Sequence, residues 1–131
     1  MKIKPVKGMK DLMLGSMPLY RHVVERAQGV LEPCQFNQVT SNLVEPESLY
    51  KKTLGVTSDI VLKEMYQVVS ASASDERTTG AKGSGGGLVL RPEGTAGVLR
   101  AILQDGRLRD SMRREPVKAW YWGPMFRHER P

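Results

Sequence analysis

The chain contains a single cysteine, Cys34, in 131 residues. That excludes an internal disulfide and any metal site built from several cysteines; it fits a reducing compartment, where a lone cysteine is usually a packing residue. Long apolar runs are missing too. No stretch could span a bilayer, and the N-terminal MKIKPVKGMKDLMLG carries charges but no continuous apolar h-region. The expected compartment is the cytoplasm, an organelle being compatible, with no membrane partner. No internal repeat is visible. A phosphate-binding loop is also excluded: the glycine run at Gly83–Gly87 is followed neither by the Lys-Ser/Thr dipeptide nor by a helix.

What is present fits one domain's length, with 40% hydrophobic residues for a modest core. The net charge of +6 and the sequence pI of about 9.7 favour a polyanionic partner such as nucleic acid.

Ser16 with Pro18 behind it signals a helix start. Leu19, Val23, Val24, Ala27, Val30 and Leu31 recur on one helical face, His22 lies at the surface, and Pro33 ends the helix. Gln35 to Thr40 alternates as a strand. Leu43 to Pro46 leads to a short helix over Glu47 to Leu54, closed by Gly55. Ile60–Leu62 and Met65–Val69 read as strand material. Residues 70–87, SASASDERTTGAKGSGGG, read as a flexible Ser/Gly-rich surface loop. Leu88–Leu90 resumes as strand and turns at Arg91–Gly94, and Thr95 can cap a helix with apolar face Val98, Leu99, Ile102 and Leu103, ending at Gly106. A charged connector from Arg107 to Glu115 leads to the last strand.

Two stretches carry chemical information. In LVLRPEGTAG a strand delivers Arg, Glu and Thr to the mouth of a helix. Glu93 there is either a favourable charge near the helix N-terminus or a carboxylate offered to a cationic ligand group, with Thr95 adding a hydroxyl. In WYWGPMFRHERP strand alternation puts Met125, Arg127 and Glu129 on one face and Phe126, His128 and Arg130 on the other. The segment is either a strand running into solvent or the wall of a ligand site, with Arg127 aimed at phosphate or carboxylate.

KGMKDL, SLYKKTLGVTSDIVLKEMY, LVLRPEGTAGVLRA and VKAWYWGPMFRHERP, in this order and spacing, resemble the N-terminal part of histidyl-tRNA synthetase, a class II aminoacyl-tRNA synthetase, in its bacterial-type pattern. The implied fold class is α+β: part of a class II catalytic domain, an antiparallel sheet flanked by helices, incomplete here. Within residues 1–131 the resemblance places a motif 1-like region at Phe36–Glu45, departing from the family at Asn42, where the family has proline. An RPEGT loop and the first half of motif 2 follow, with the anticodon-binding domain absent; the ending at Pro131 reads as truncation.

The resemblance further implies that Glu93, Gly94 and Thr95 bind histidine at its amino end. Arg127, the catalytic residue, would hold the substrate carboxylate and the α-phosphate of ATP, with Glu129 near the adenine. His128 would support the strand. No metal-ligating residue is assigned, and Mg²⁺ would accompany ATP. The implied ligase reaction serves protein synthesis in two steps, forming histidyl-adenylate and then charging tRNA(His), by a homodimer. It needs no protein nucleophile, in keeping with the lack of a Ser-His-Asp or Cys-His arrangement. Residues 1–131 alone are expected to be inactive. A non-catalytic relative, such as the regulatory subunit of ATP phosphoribosyltransferase, is the alternative.

Overall fold

The structure, a computed structural model, describes residues 3–69, 87–106 and 116–128. The expected loop over 70–87, apart from Gly87, lies outside the described residues, as do the 107–115 connector, Glu129 and Arg130. The chain divides into two compact units, one running to Asn37 and the other from Gln38 onward. Among the described residues no helix is long and apolar enough to cross a membrane.

In the first unit, a turn in which the Met9 N–H donates to Val6 O precedes α1 (Met17–Leu31). Proline in the first turn fixes the helical φ without losing a needed N–H. Ser16 stands at the cap position, yet its hydroxyl donates back to Met13 O at 3.1 Å and bonds no helix N–H. After Leu31 the chain turns sharply: the N–H groups of Cys34 and Phe36 both donate to Leu31 O, and Gln35 takes a positive φ of 64°. An apolar stripe on a helix ordinarily faces a core. Instead no α1 residue is buried; Leu19, Val23 and Val30 are exposed, as is Cys34, which does not pack as expected.

The second unit is built on a three-stranded antiparallel sheet with β4 (Leu88–Leu90) between β2 (Val44–Pro46) and β3 (Gln67–Val68). Val89, the middle residue of the central strand, is fully buried, with Glu45 and Gln67 as its register partners. Above it pack Tyr50 of α2 (Glu47–Leu54), Val61, and Ala96 of α3 (Thr95–Gln104), joined by Leu49, Leu54 and Met65. Burial of a Val-sized or larger side chain stabilises by about 1.5–3 kcal/mol. Glu45 is buried in the same layer, where an unpaired carboxylate would be costly; Arg100 of α3 meets it at 2.6 Å. A second, two-stranded sheet joins β1 (Asn37–Gln38) to β5 (Ala119–Trp120), and the neighbouring Val39 N–H donates to Trp120 O.

Four further expectations need correction. Ile60–Leu62 is not strand: Ile60–Glu64 forms a turn of π-helix. Its start is held by Ser58, whose carbonyl accepts from the Leu62 N–H and whose hydroxyl lies 3.5 Å from the Val61 N–H, while Val61 is buried. Gln35–Thr40 shrinks to two strand residues. In α3 the buried residues are Ala96, Gly97 and Val98, whereas Leu99 and Leu103 are about half exposed, so the packed face is displaced toward the helix start. Finally, only Ala119–Trp120 of the terminal segment is strand; what holds the rest is described next.

Candidate functional site

The site is a turn, Arg91–Thr95, with the 121–128 segment laid against it. Arg91 follows β4 directly and is buried. Its backbone N–H donates to Leu43 O and its carbonyl accepts from the Phe126 N–H at 3.0 Å. Its guanidinium donates from Nε to Pro124 O and from Nη1 to both the carbonyl and the hydroxyl of Ser41. One side chain thus ties the Ser41 segment, the end of β4 and the Gly123–Phe126 bend together. Gly123 has φ +145°, and a Cβ there would stand 2.6 Å from Arg91 Nη2, so the bend requires glycine.

Beyond Arg91 the chain enters α3. Gly94, not Thr95, occupies the cap position, and the capping group is the Glu93 carboxylate. One Glu93 oxygen accepts from the Thr95 N–H at 2.5 Å, the other from the Ala96 N–H at 2.9 Å. This satisfies two of the orphan donors of a helix N-terminus and locks the carboxylate in place. Each oxygen keeps a second lone pair for a further donor. The bland role and the ligand role read from the sequence are therefore compatible in one side chain.

Arg127 reaches the same turn from the other segment. Its Nε donates to Pro92 O at 2.9 Å while the side chain remains exposed. His128 turns away: its N–H donates to Glu64 O, and its ring meets Tyr66 edge-on at 5.7 Å. Glu93, Gly94, Thr95 and Arg127 are thus brought together, and Glu129 lies outside the described residues.

Tyr121 belongs to this group and was missed. Its hydroxyl lies 2.6 Å from Thr95 Oγ1, and its ring covers Gly94 so closely that a Cβ there would stand 2.3 Å from the ring edge. The structure lays Tyr121, Met125 and Arg127 on the turn, but only Ala119–Trp120 of this segment is strand, so residue parity alone does not mark Tyr121. The electrostatics are concentrated beneath. Tyr50 is fully buried, its hydroxyl lacks a hydrogen-bond partner among the described residues, and its pKa is pushed up to about 12, chiefly by burial and then by the Glu45 and Glu93 carboxylates. Among the described residues no group of three or more His, Cys, Asp or Glu gathers to hold a metal.

The fold is shared with solved histidyl-tRNA synthetases. It matches 97% of this chain to 26% of the apo histidyl-tRNA synthetase of S. aureus, with TM-score 0.69 and 20% identity. A protein from Bacillus halodurans, described as an ATP phosphoribosyltransferase regulatory subunit/histidyl-tRNA synthetase, matches 95% of the chain with 29% of its own, with TM-score 0.64 and 20% identity.

In sequence the chain is 38% identical over 130 residues to the histidine–tRNA ligase of Ralstonia nicotianae, covering 99% of this chain and 27% of that protein. It is 40% identical over 129 residues to that of Rhodospirillum rubrum, covering 98% and 27%. No family model matches the chain. These histidine–tRNA ligases are homologues of the chain along nearly its whole length, and it spans about a quarter of theirs.

Proposed function

We propose that the 92–95 turn and Arg127 bind the two ends of one amino acid, histidine, within the active site of a histidine–tRNA ligase. The observation that carries this reading is the bond from Arg127 Nε to Pro92 O, the residue before Glu93. It brings the Arg127 side chain to the residue next to Glu93, whose carboxylate is held by two helix N–H groups, and the two opposite charges would then take the two ends of a zwitterion. Glu93 and Thr95 would accept from the ammonium, with Gly94 between them making room for the Tyr121 ring. Arg127 would bind the carboxylate and then the α-phosphate of ATP, and Glu129 would face the adenine.

In the reaction, a histidine carboxylate oxygen forms a bond to the α-phosphorus of ATP as the bond to the pyrophosphate oxygen breaks. Histidyl-adenylate forms, pyrophosphate leaves, and the histidyl group passes to tRNA(His). This chain's contribution is orientation and charge neutralisation at the carboxylate and α-phosphate. Mg²⁺ enters the reading as the cation that accompanies ATP, and no step is assigned to it. The ligase reading brings with it ATP binding, a homodimer and a cytoplasmic setting.

The second reading is a non-catalytic, histidine-binding regulatory chain, favoured by the Bacillus halodurans likeness. Histidine-dependent ATP–pyrophosphate exchange by the natural polypeptide carrying these residues, at its full length, decides between them. The ligase reading expects exchange with histidine and not with other amino acids. Histidine binding without exchange would sink it in favour of the regulatory reading.

A further inference from the structure

We infer that Tyr121 is a positioning residue for amino-group recognition, holding the Thr95 hydroxyl so that a lone pair faces the substrate ammonium; this rests on the ligase reading above. Three observations bear on it. Tyr121 OH and Thr95 Oγ1 are 2.6 Å apart, and either can donate. Thr95 is exposed, so without that bond its hydroxyl would rotate freely among solvent contacts. The Tyr121 ring is seated over Gly94 at a distance no Cβ would tolerate, so the phenol has one place to be.

The chemistry follows from donor counting. An ammonium offers only donors, and Thr95 is useful to it only through an oxygen lone pair. If Thr95 donates to Tyr121, both its lone pairs are released. If Tyr121 donates to Thr95, one lone pair remains, and the threonine proton and that lone pair share the two other positions. The first arrangement, in which the Thr95 proton is engaged by Tyr121, is the one that keeps that proton off the ammonium. Glu93 already has each oxygen engaged by a helix N–H, which makes an oriented Thr95 acceptor worth more to the site.

The test compares Tyr121→Phe, Thr95→Val and the double variant in the full-length natural polypeptide, by histidine-dependent pyrophosphate exchange and thermal melting. Phenylalanine keeps the ring over Gly94 and removes only the hydroxyl. Losing one neutral hydrogen bond's worth of orientation should raise the histidine KM about 3- to 10-fold, with the ATP KM and kcat within about twofold. On the Thr95→Val background the same change should add nothing, because Tyr121 acts through Thr95. An unchanged histidine KM, additive effects in the double variant, or equal losses in both KM values with a lowered melting temperature would each overturn the inference. Wild-type protein without exchange would instead overturn the ligase reading itself, and the inference with it.

Discussion

Arg127 and Pro92, 35 residues apart in sequence, are joined by a 2.9 Å hydrogen bond from the guanidinium Nε to the backbone carbonyl. Nε is the inward-facing nitrogen of the fork. A guanidinium is a planar donor fork of the kind that suits a carboxylate or phosphate. Next along the chain, Glu93 is pinned by two helix N–H groups. Both charged side chains of the site are thus tethered to backbone groups.

Glu93→Gln should therefore do two things at once. A glutamine has one acceptor oxygen where the carboxylate has two, so one of the two cap bonds is lost, at about 1 kcal/mol of stability. Histidine should also bind more weakly through loss of the charge facing its ammonium. Thermal melting and histidine titration read these separately. Lower stability with unchanged histidine affinity would leave Glu93 as a cap alone.

Gly123→Ala should be destabilising without touching the substrate-facing groups. The backbone there has φ +145°, and the added methyl would stand 2.6 Å from Arg91 Nη2. Strain of this kind costs about 1–3 kcal/mol, and relief by moving Arg91 would sacrifice its bonds to Ser41 and Pro124. Denaturant unfolding measures it; a midpoint equal to wild type would show that the bend is not held by Arg91.

Tyr50 gives a pH dependence with a definite sign. Its folded-state pKa is raised from 10.0 to about 12, so the neutral phenol is favoured in the fold. That contribution is complete below pH 10 and is lost as pH rises from 10 through about 12. Tyr50→Phe should flatten this alkaline limb. At neutral pH it should be no less stable than wild type, because the hydroxyl removed is buried without a partner among the described residues. Melts across the alkaline range check both parts, and an unchanged alkaline slope would contradict the assignment.

Much of this was legible in the sequence, and the misses have physical causes. The helix at Glu47–Leu54 with Gly55 behind it, and the order of β4, turn and α3, are set by local signals: periodicity, a breaker and a strand-to-helix switch. Ile60–Leu62 misled because β-branched residues favour strands in general, whereas here Ser58 and the burial of Val61 decide. The exposed stripe of α1 shows that periodicity reports a helix and not what covers it. At the site, the RPEGT turn and Arg127 were readable. The capping by Glu93 and the contact of Tyr121 with Thr95 were not, because each depends on where a distant or turned backbone places two side-chain atoms.

A polypeptide of residues 1–131 alone should give no histidine-dependent pyrophosphate exchange. The relatives it matches are about four times longer, and groups that act together in one transition state lose activity far from additively when some are missing. Exchange by the purified 131-residue chain would show that the described turn and Arg127 need no further residues.

The most direct test of the account is whether Arg127 and Glu93 each answer to one end of the same substrate. Histidine and histamine, which lacks the carboxylate, are titrated into the full-length wild type, Arg127→Lys and Glu93→Gln proteins. The account predicts that Arg127→Lys weakens histidine about tenfold or more, in line with losing a bidentate charge-assisted contact, and leaves histamine within about twofold, whereas Glu93→Gln weakens both ligands alike. Equal loss of both ligands in Arg127→Lys, or histidine weakened and histamine spared in Glu93→Gln, would contradict the assignment of the two charges to the two ends.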